Sequence, residues 1–144
     1  MTTTSRTFSV TPPPSIVLTY LQDFAHAEEW DPGTVSCRQI GAGPVEVGTR
    51  WNNVSKIAGN ETELVYTLKE LTDDTIVLEG KNDQATSLDT ITVLPQGSGS
   101  EVTYTAELEM HGAAKLLTPV MKIVFEKLGN DTEDDMVRVL NGLS

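Results

Sequence analysis

The sequence predicts an α+β fold in which a curved antiparallel sheet of about seven strands wraps around one long C-terminal helix. Apolar and polar residues alternate with a period of two between Thr34 and Met110, which predicts a run of consecutive strands. The links between these strands are short, which favours pairing of neighbours as a meander. Apolar residues return to helical spacing after Gly112. Since a sheet with one dry face needs a cover, this helix is predicted to lie across it.

The segment before Thr34 predicts one strand and two short helices. Residues 7–10 alternate as a short strand, and the prolines at 12–14 then suit the first turn of a helix. The apolar stripe of that helix is formed by Val17, Tyr20, Leu21 and Phe24. A second short helix is predicted for residues 23–29, and it ends at the turn Trp30-Asp31-Pro32-Gly33.

The strands of the predicted sheet are separated by turns rich in glycine, proline, asparagine and aspartate. Their predicted ranges are 35–40, 49–57, 62–71, 75–80, 85–94 and 101–110. Gly59 and Asn60 lie between two of these strands and predict a tight hairpin turn. The last strand alternates most clearly, and its apolar face consists of Val102, Tyr104, Ala106, Leu108 and Met110. One face of the sheet is therefore predicted to be buried and the other solvated.

The C-terminal helix is predicted from a broad apolar stripe that is interrupted once. The stripe comprises Leu117, Val120, Met121, Val124, Phe125 and Leu128, and it resumes at Met136, Val139 and Leu140. Between the two parts lies an acid-rich segment that begins with Gly129. Glycine costs ~1 kcal/mol inside a helix, a cost that packing can offset. A helix continuous through Gly129 is therefore favoured over one that restarts with Asp131 or Thr132 as N-cap.

The composition predicts a globular chain that forms a single domain over residues 1–144. Hydrophobic residues make up 38% of the chain and charged residues 22%, which is an ordinary globular balance. The net charge of −11 argues against binding of nucleic acid and of anionic lipid surfaces. The single cysteine, Cys37, excludes an internal disulfide, and neither a secretory signal nor an apolar run of membrane-spanning length is found. We therefore expect a cytoplasmic protein without membrane insertion.

The gap between a curved sheet and the helix that covers it is the predicted ligand site, because side chains rarely fill such a gap completely. Strand alternation directs Ser87 and Asp89 toward this gap. A carboxylate there can orient a ligand hydroxyl, or act as an acid or base with a raised pKa. Isolated buried carboxylates are rare, so the favoured alternative is a solvated Asp89, or one paired with Arg50 or Lys56.

Other residues are predicted to contact a ligand through aromatic, amide or apolar groups. Trp51 and Asn53 share one strand face and Arg50 the other, and the pattern leaves open which face is inward. Tyr66 and Tyr104 are predicted to point inward, where each hydroxyl needs a hydrogen-bond partner. The predicted ligand-binding residues are Trp51, Asn53, Tyr66, Ser87, Asp89, Tyr104, Leu108, Met121 and Phe125.

No metal site and no cofactor are predicted. His26, His111 and Cys37 lack the spacing of metal ligands. His111 is interpreted as a polar strand terminus and Cys37 as a small residue of the core.

Short motifs along the chain carry a family resemblance. They are Trp30-Asp31-Pro32-Gly33, Val47-Gly48-Thr49-Arg50-Trp51, the run from Gly59 to Tyr66, Asp89-Thr90-Ile91, and Val102-Thr103-Tyr104-Thr105-Ala106. Together with the order of elements, they resemble the START-like superfamily, also called SRPBCC, in its polyketide cyclase/dehydrase and lipid-transport-like branch. The resemblance implies a helix-grip fold with a cavity for a hydrophobic or aromatic molecule. The superfamily includes lipid carriers, hormone receptors and aromatase/cyclases, so the fold does not assign the function.

Three functions remain open. The leading hypothesis is a non-catalytic protein that binds or carries a hydrophobic small molecule, such as a lipid, a polyketide or an aromatic compound. The second is a polyketide aromatase/cyclase in which Asp89, Tyr66 or Arg50 moves protons. The third is a protein-interaction module that uses a sheet edge or the acidic surface.

Overall fold

A single antiparallel sheet of seven strands dominates the computed structural model, which describes residues 1–57 and 59–143. The strands run along the sheet in the order β1-β7-β6-β5-β4-β3-β2. Their bounds are β1 Thr2–Val10, β2 Thr34–Ile40, β3 Arg50–Ile57, β4 Asn60–Leu71, β5 Thr75–Lys81, β6 Ala85–Gln96 and β7 Gly99–Met110. The predicted meander is confirmed from β2 to β7, and β1 closes the order by pairing with β7.

The helices lie in two segments of the chain, one between β1 and β2 and the other after β7. Helix α1 spans Pro14–Leu21, and a 3-10 turn at Phe24–His26 leads into the short helix α2, Ala27–Trp30. A second 3-10 turn at Gly112–Leu117 precedes helix α3, Thr118–Asn141. The predicted continuity through Gly129 is confirmed, since α3 is one helix of 24 residues.

Strand β1 is longer than the sequence analysis predicted. Thr2 already pairs with Leu108, whereas the predicted strand began at Thr7. The missed part alternates buried Thr2 and Thr4 with more exposed residues, but both inward residues are polar. Threonine suits a strand without marking its buried face, so apolar alternation did not reveal it.

Two hairpins differ from the predicted turns. Gln96 pairs directly with Gly99, so only Gly97 and Ser98 separate β6 from β7 where a loop over residues 95–99 was expected. Gly97 has φ 59°, which glycine adopts without strain. The expected turn at Gly59-Asn60 changes as well, because Asn60 pairs with Ile57 and already belongs to β4. Ala58 lies outside the described residues.

The buried face of the sheet carries the core. Its large, fully buried side chains include Trp51, Leu68, Ile76, Leu78, Ile91 and Val93 from the sheet, and Leu21, Phe24 and Trp30 from the N-terminal helical segments. Trp51 is buried and Arg50 exposed, which decides the orientation of β3 that the sequence left open.

Helix α3 has buried residues from Phe125 onward, whereas no residue of its first two turns is buried. Phe125, Gly129, Thr132, Met136 and Leu140 are buried. Leu117, just before the helix, and Val120, within its first turn, are both more than half exposed, although both were predicted in the buried stripe. The amino-terminal end of α3 therefore packs less closely on the sheet than the apolar pattern indicated.

Gly129 marks the place where α3 passes closest to β1. A Cβ atom at this position would lie 2.4 Å from Thr4 Oγ1 and 3.0 Å from Arg6 Cζ. Arg6 of β1 stabilises this contact, because its guanidinium donates hydrogen bonds to Asn130 Oδ1 and to Glu126 Oε1 of α3, each at 3.0 Å. The glycine that weakens the helix locally thus permits its close contact with the sheet.

Within residues 1–57 and 59–143, no helix combines the length and the apolar character needed to cross a lipid bilayer.

Candidate functional site

A cavity of about 90 Å³ lies between the buried face of the sheet and the middle of α3. The sheet contributes Thr4, Ser55, Ile57, Leu64, Tyr66, Ser87, Asp89, Tyr104, Ala106 and Leu108 to its wall. Asp31 enters from the end of α2, and Phe125, Leu128, Gly129 and Thr132 enter from α3. The wall is thus mostly apolar, with hydroxyl groups and two carboxyl groups.

Small residues in the sheet explain why space remains there. Across the β6–β7 pair, Asp89 faces Ala106, whose methyl group fills little of the space below α3. In the next row, Tyr66 is paired with Gly80, which has no side chain. A Cβ on Gly80 would lie 2.6 Å from Tyr66 Cζ, so the glycine allows the phenol ring to lie across the strand. The hollow therefore follows from the register of the four strands β4 to β7.

Asp89 lines this cavity and is only 5% exposed. The hydroxyls of Ser87 and Tyr104 approach its carboxyl group, each at 3.4 Å, which is beyond the usual 2.5–3.0 Å for O–H···O bonds. Burial, and next the negative charge of Asp31, raise the pKa of Asp89 to about 7. The carboxyl group therefore changes its protonation state near neutral pH.

The favoured expectation for Asp89 was wrong. The carboxyl group is neither solvated nor paired with Arg50 or Lys56, which are exposed on the opposite face of the sheet. The inward alternative holds because Asp89 shares its strand face with buried Ser87 and Ile91.

Asp31 is the second carboxyl group of the cavity, and sequence analysis gave it only a role in a turn. It follows the last residue of α2 and accepts hydrogen bonds from the Gly33 backbone N–H at 3.1 Å and from Thr34 Oγ1 at 2.9 Å. Burial raises the pKa of Asp31 in spite of these bonds, and the nearby charge of Asp135 adds to the effect. The turn motif predicted the backbone geometry but not the direction in which the carboxyl group faces.

Two tyrosines flank the carboxyl groups. Tyr66 and Tyr104 both line the cavity, and each is 8% exposed. Burial, and next the charge of Asp89, raise the pKa of each phenol well above its ordinary value. Both side chains therefore remain neutral hydrogen-bonding groups with large apolar rings.

Six of the nine predicted ligand-binding residues line the cavity, namely Tyr66, Ser87, Asp89, Tyr104, Leu108 and Phe125. Trp51 lies elsewhere in the core, where its indole N–H donates to Asp23 Oδ1 at 3.2 Å. Asn53 does not line the cavity, and its side-chain amide is already hydrogen-bonded. The amide donates to Thr34 Oγ1 at 3.0 Å and accepts from Ser55 Oγ at 2.6 Å. Met121 is half-buried on α3 outside the lining.

Sequence analysis missed several polar residues of the wall. Ser55 continues the inward alternation of Trp51 and Asn53, so knowledge of the strand's orientation would have found it. Thr4 lies in the unrecognised part of β1. Thr132 was weighed only as a helix cap, yet it is 4% exposed in the middle of α3.

The remaining reactive side chains lie apart. Cys37 is 2% exposed. The carbonyl oxygen of Tyr20 accepts a hydrogen bond from His26 Nδ1 at 2.7 Å. His111 directly follows β7, and its Nε2 lies 2.9 Å from Thr86 Oγ1. Among the residues that the structure describes, no group of three or more His, Cys, Asp or Glu side chains is placed to hold a metal ion.

Solved structures share this architecture. A START superfamily protein from Mycobacterium smegmatis superposes with a TM-score of 0.73 at 15% identity, over 97% of this chain and 94% of that one. The Zhui aromatase/cyclase from Streptomyces sp. R1128 gives 0.76 at 10% identity, over 97% and 91%. A STAR-related lipid transfer protein from Xanthomonas axonopodis gives 0.74 at 15% identity, over 96% and 85%. These similarities establish the START-like helix-grip fold that the sequence predicted.

Sequence comparison gives the family. No curated protein sequence matches the chain. A family profile described as polyketide cyclase / dehydrase and lipid transport matches residues 1–140. The chain belongs to this polyketide cyclase / dehydrase and lipid transport family.

Proposed function

We propose that the protein binds a small, largely apolar molecule in the cavity between α3 and the sheet. The observation that carries this proposal is the cavity of about 90 Å³, whose wall is mostly apolar side chains. Apolar surface that remains open inside a core forfeits packing energy, which a ligand restores. The family description, which includes lipid transport, supports the same function.

The size of the cavity limits the ligand. Sites for drug-sized molecules usually measure roughly 300–1,000 Å³. A compound the size of a lipid or polyketide therefore requires α3 to move away from the sheet. The first two turns of α3, before Phe125, are the part that can move with least loss, because Val120 and Ile123 are already exposed there.

Filling the cavity tests the proposal. Ala106→Leu adds a side chain to the wall opposite Asp89 and should abolish binding of toluene, a neutral apolar probe that can be followed by NMR titration. Glu107→Leu adds the same side chain to the other face of β7 and should leave toluene binding unchanged. Melting temperatures would verify that both variants fold. Absence of toluene binding by the unchanged protein, or equal binding by Ala106→Leu, would contradict the proposal.

Catalysis is a second candidate, favoured by the raised pKa of Asp89. A carboxylate with a pKa of about 7 is suited to take a proton from a carbon between two carbonyl groups. The resulting enolate would form a C–C bond to a further carbonyl carbon of a poly-β-ketone, as in an aromatase/cyclase. The C=O π bond of that carbonyl group opens to an alkoxide, and Asp89 returns its proton to this oxygen, which then leaves as water. A tetraketide thioester would test this, since cyclisation with loss of water is visible by mass spectrometry. Turnover that is equal for the unchanged protein and Asp89→Asn would exclude this role of the carboxylate.

The cytoplasm is the compartment that we propose for this binding. The only cysteine is Cys37. Burial raises the pKa of its thiol to about 12, which keeps it protonated and unreactive. A chain without an internal disulfide suits a reducing compartment. Fractionation of the source cells should recover the protein with the cytosol, and recovery from the medium would contradict this.

A further inference from the structure

The polar part of the cavity has more acceptors than donors. An ionised carboxylate offers about four lone-pair sites. Among the described residues, Asp89 receives hydrogen bonds only from the Ser87 and Tyr104 hydroxyls, both at 3.4 Å. Since these distances exceed those of normal O–H···O bonds, the carboxyl group of Asp89 is poorly satisfied although it is nine-tenths buried. A ligand that supplies hydrogen-bond donors would correct this.

A second carboxyl group opens into the same cavity. Asp31 accepts two hydrogen bonds from its own turn, at 3.1 and 2.9 Å, and still lines the cavity together with Asp89. The two acids interact through space, because the charge of Asp31 helps to raise the pKa of Asp89. Two acidic groups thus face one small space.

Within the described lining of the cavity there is no lysine, arginine or histidine to compensate the two carboxyl groups. Arg6 donates a hydrogen bond to Thr4, a residue of the wall, but its other hydrogen bonds go to Ser5 O, Glu126 and Asn130. Buried charges in proteins are normally paired, so this arrangement is one that a cationic ligand would complete.

We propose that the cavity selects small amines, whose ammonium group binds between Asp89 and Asp31 while the apolar part lies against Leu64, Leu108 and Phe125. This inference rests on the proposed function and adds the chemical class of the ligand. An ammonium group has three donors, enough to serve both carboxylates, and its charge neutralises one of them. The rings of Tyr66 and Tyr104 also favour a cation. A carboxylic acid of the same size is excluded by charge repulsion.

A matched series of probes tests the selection. Butylamine, butan-1-ol and butanoate each have four carbon atoms and different polar ends, and each would be titrated into the labelled protein and followed by NMR at pH 7.5. Butylamine should bind at least about tenfold more tightly than butan-1-ol, which is the usual worth of a charge-assisted hydrogen bond. Butanoate should not bind. Butan-1-ol binding equal to or tighter than that of butylamine would overturn the inference.

Two variants distinguish binding of butylamine in the cavity from a general attraction of the amine to an acidic protein. Asp89→Asn should remove the preference for butylamine over butan-1-ol. Glu107→Gln removes one negative charge from the outer face of β7 and should preserve the preference. Loss of the preference in both variants would show that butylamine responds only to net charge, which would overturn the inference.

The pH dependence of the unchanged protein gives a readout that needs no variant. Butylamine affinity should rise between pH 5.5 and 8, because Asp89, with its pKa of about 7, becomes ionised over that range. The groups around it are Asp31, Tyr66 and Tyr104, with Asp135 near Asp31. The tyrosine pKa values are raised, so the phenols remain neutral throughout. An affinity independent of pH would contradict the inference.

The two proposals fail in different ways. If toluene binds and butylamine shows no preference, the cavity is a ligand site but the amine selection is wrong. If neither toluene nor any of the butyl compounds binds, the proposed function itself is wrong and the inference falls with it.

Discussion

At the scale of single residues, the buried carboxyl group of Asp89 makes the free energy of unfolding depend on pH. In the unfolded chain its pKa is near 3.8, and in the folded protein it is about 7. Between these values the folded state holds a proton that the unfolded state has lost. Stability therefore falls as the pH rises through this interval, and the loss is complete above the folded pKa.

Replacement of Asp89 by asparagine should remove this pH dependence. We expect Asp89→Asn to gain stability relative to the unchanged protein by roughly 1–4 kcal/mol between pH 4 and pH 8, since one pKa unit corresponds to 1.36 kcal/mol. Urea unfolding of both proteins at several pH values measures the difference, and other titrating groups largely cancel in it. A stability difference that is the same at pH 4 and pH 8 would show that the carboxyl group is not buried as described.

Gly80 controls the position of Tyr66. Gly80→Ala places a methyl group against the phenol ring, where a Cβ would lie 2.6 Å from Cζ. Overpacking of this kind costs about 1–3 kcal/mol. Thermal or urea unfolding should therefore show destabilisation, and the double variant Gly80→Ala/Tyr66→Leu should recover part of it. Additive effects of the two substitutions would indicate that the ring does not lie over the glycine.

At the scale of elements, the crossing of α3 over β1 decides how close helix and sheet approach. In an isolated helix, alanine is more favourable than glycine by ~1 kcal/mol. Here Gly129→Ala brings a methyl group within 2.4 Å of Thr4 Oγ1, so helix and strand must separate.

We therefore expect Gly129→Ala to destabilise the protein by about 1–3 kcal/mol in urea unfolding, although the higher helix propensity of alanine alone would stabilise it. Thr4→Ala in the same chain removes the oxygen atom and should reduce the loss. Stabilisation by Gly129→Ala alone would mean that α3 does not contact β1 at this point.

Strands with apolar alternation were predictable, and those with polar inward residues were not. Strand β7 alternates almost perfectly, and its buried face is the predicted one. Strand β1 was predicted only from Thr7, because the inward side chains of Thr2 and Thr4 carry no apolar signal.

For α3, the helical stripe predicted the element correctly. It overstated burial at Leu117 and Val120, because periodicity does not report how far the sheet extends beneath the helix.

At the scale of the whole molecule, the sequence predicted that a site exists but not which side chains complete it. The curved sheet and its covering helix follow from element order and the family resemblance, and they imply a gap. The location of the gap depends on register, since Gly80 and Ala106 leave space only because of what they oppose in the neighbouring strands. Asp31 shows most clearly what the sequence did not predict. The direction of its carboxyl group is decided by the local backbone of a turn.

The fold itself does not depend on close sequence similarity. Proteins with 10–15% identity to this chain share the sheet and its covering helix. In this chain Asp31 and Asp89 line the space between α3 and the sheet.

Diffraction from crystals held under xenon pressure tests the central claim most directly, because xenon enters apolar cavities inside proteins. We predict an anomalous peak between Ala106 on the sheet and Phe125 on α3, both of which line the cavity. In Ala106→Leu crystals the peak should disappear. An interior without a xenon site at this position, or an α3 helix packed away from Thr4 and Asp89, would contradict the account.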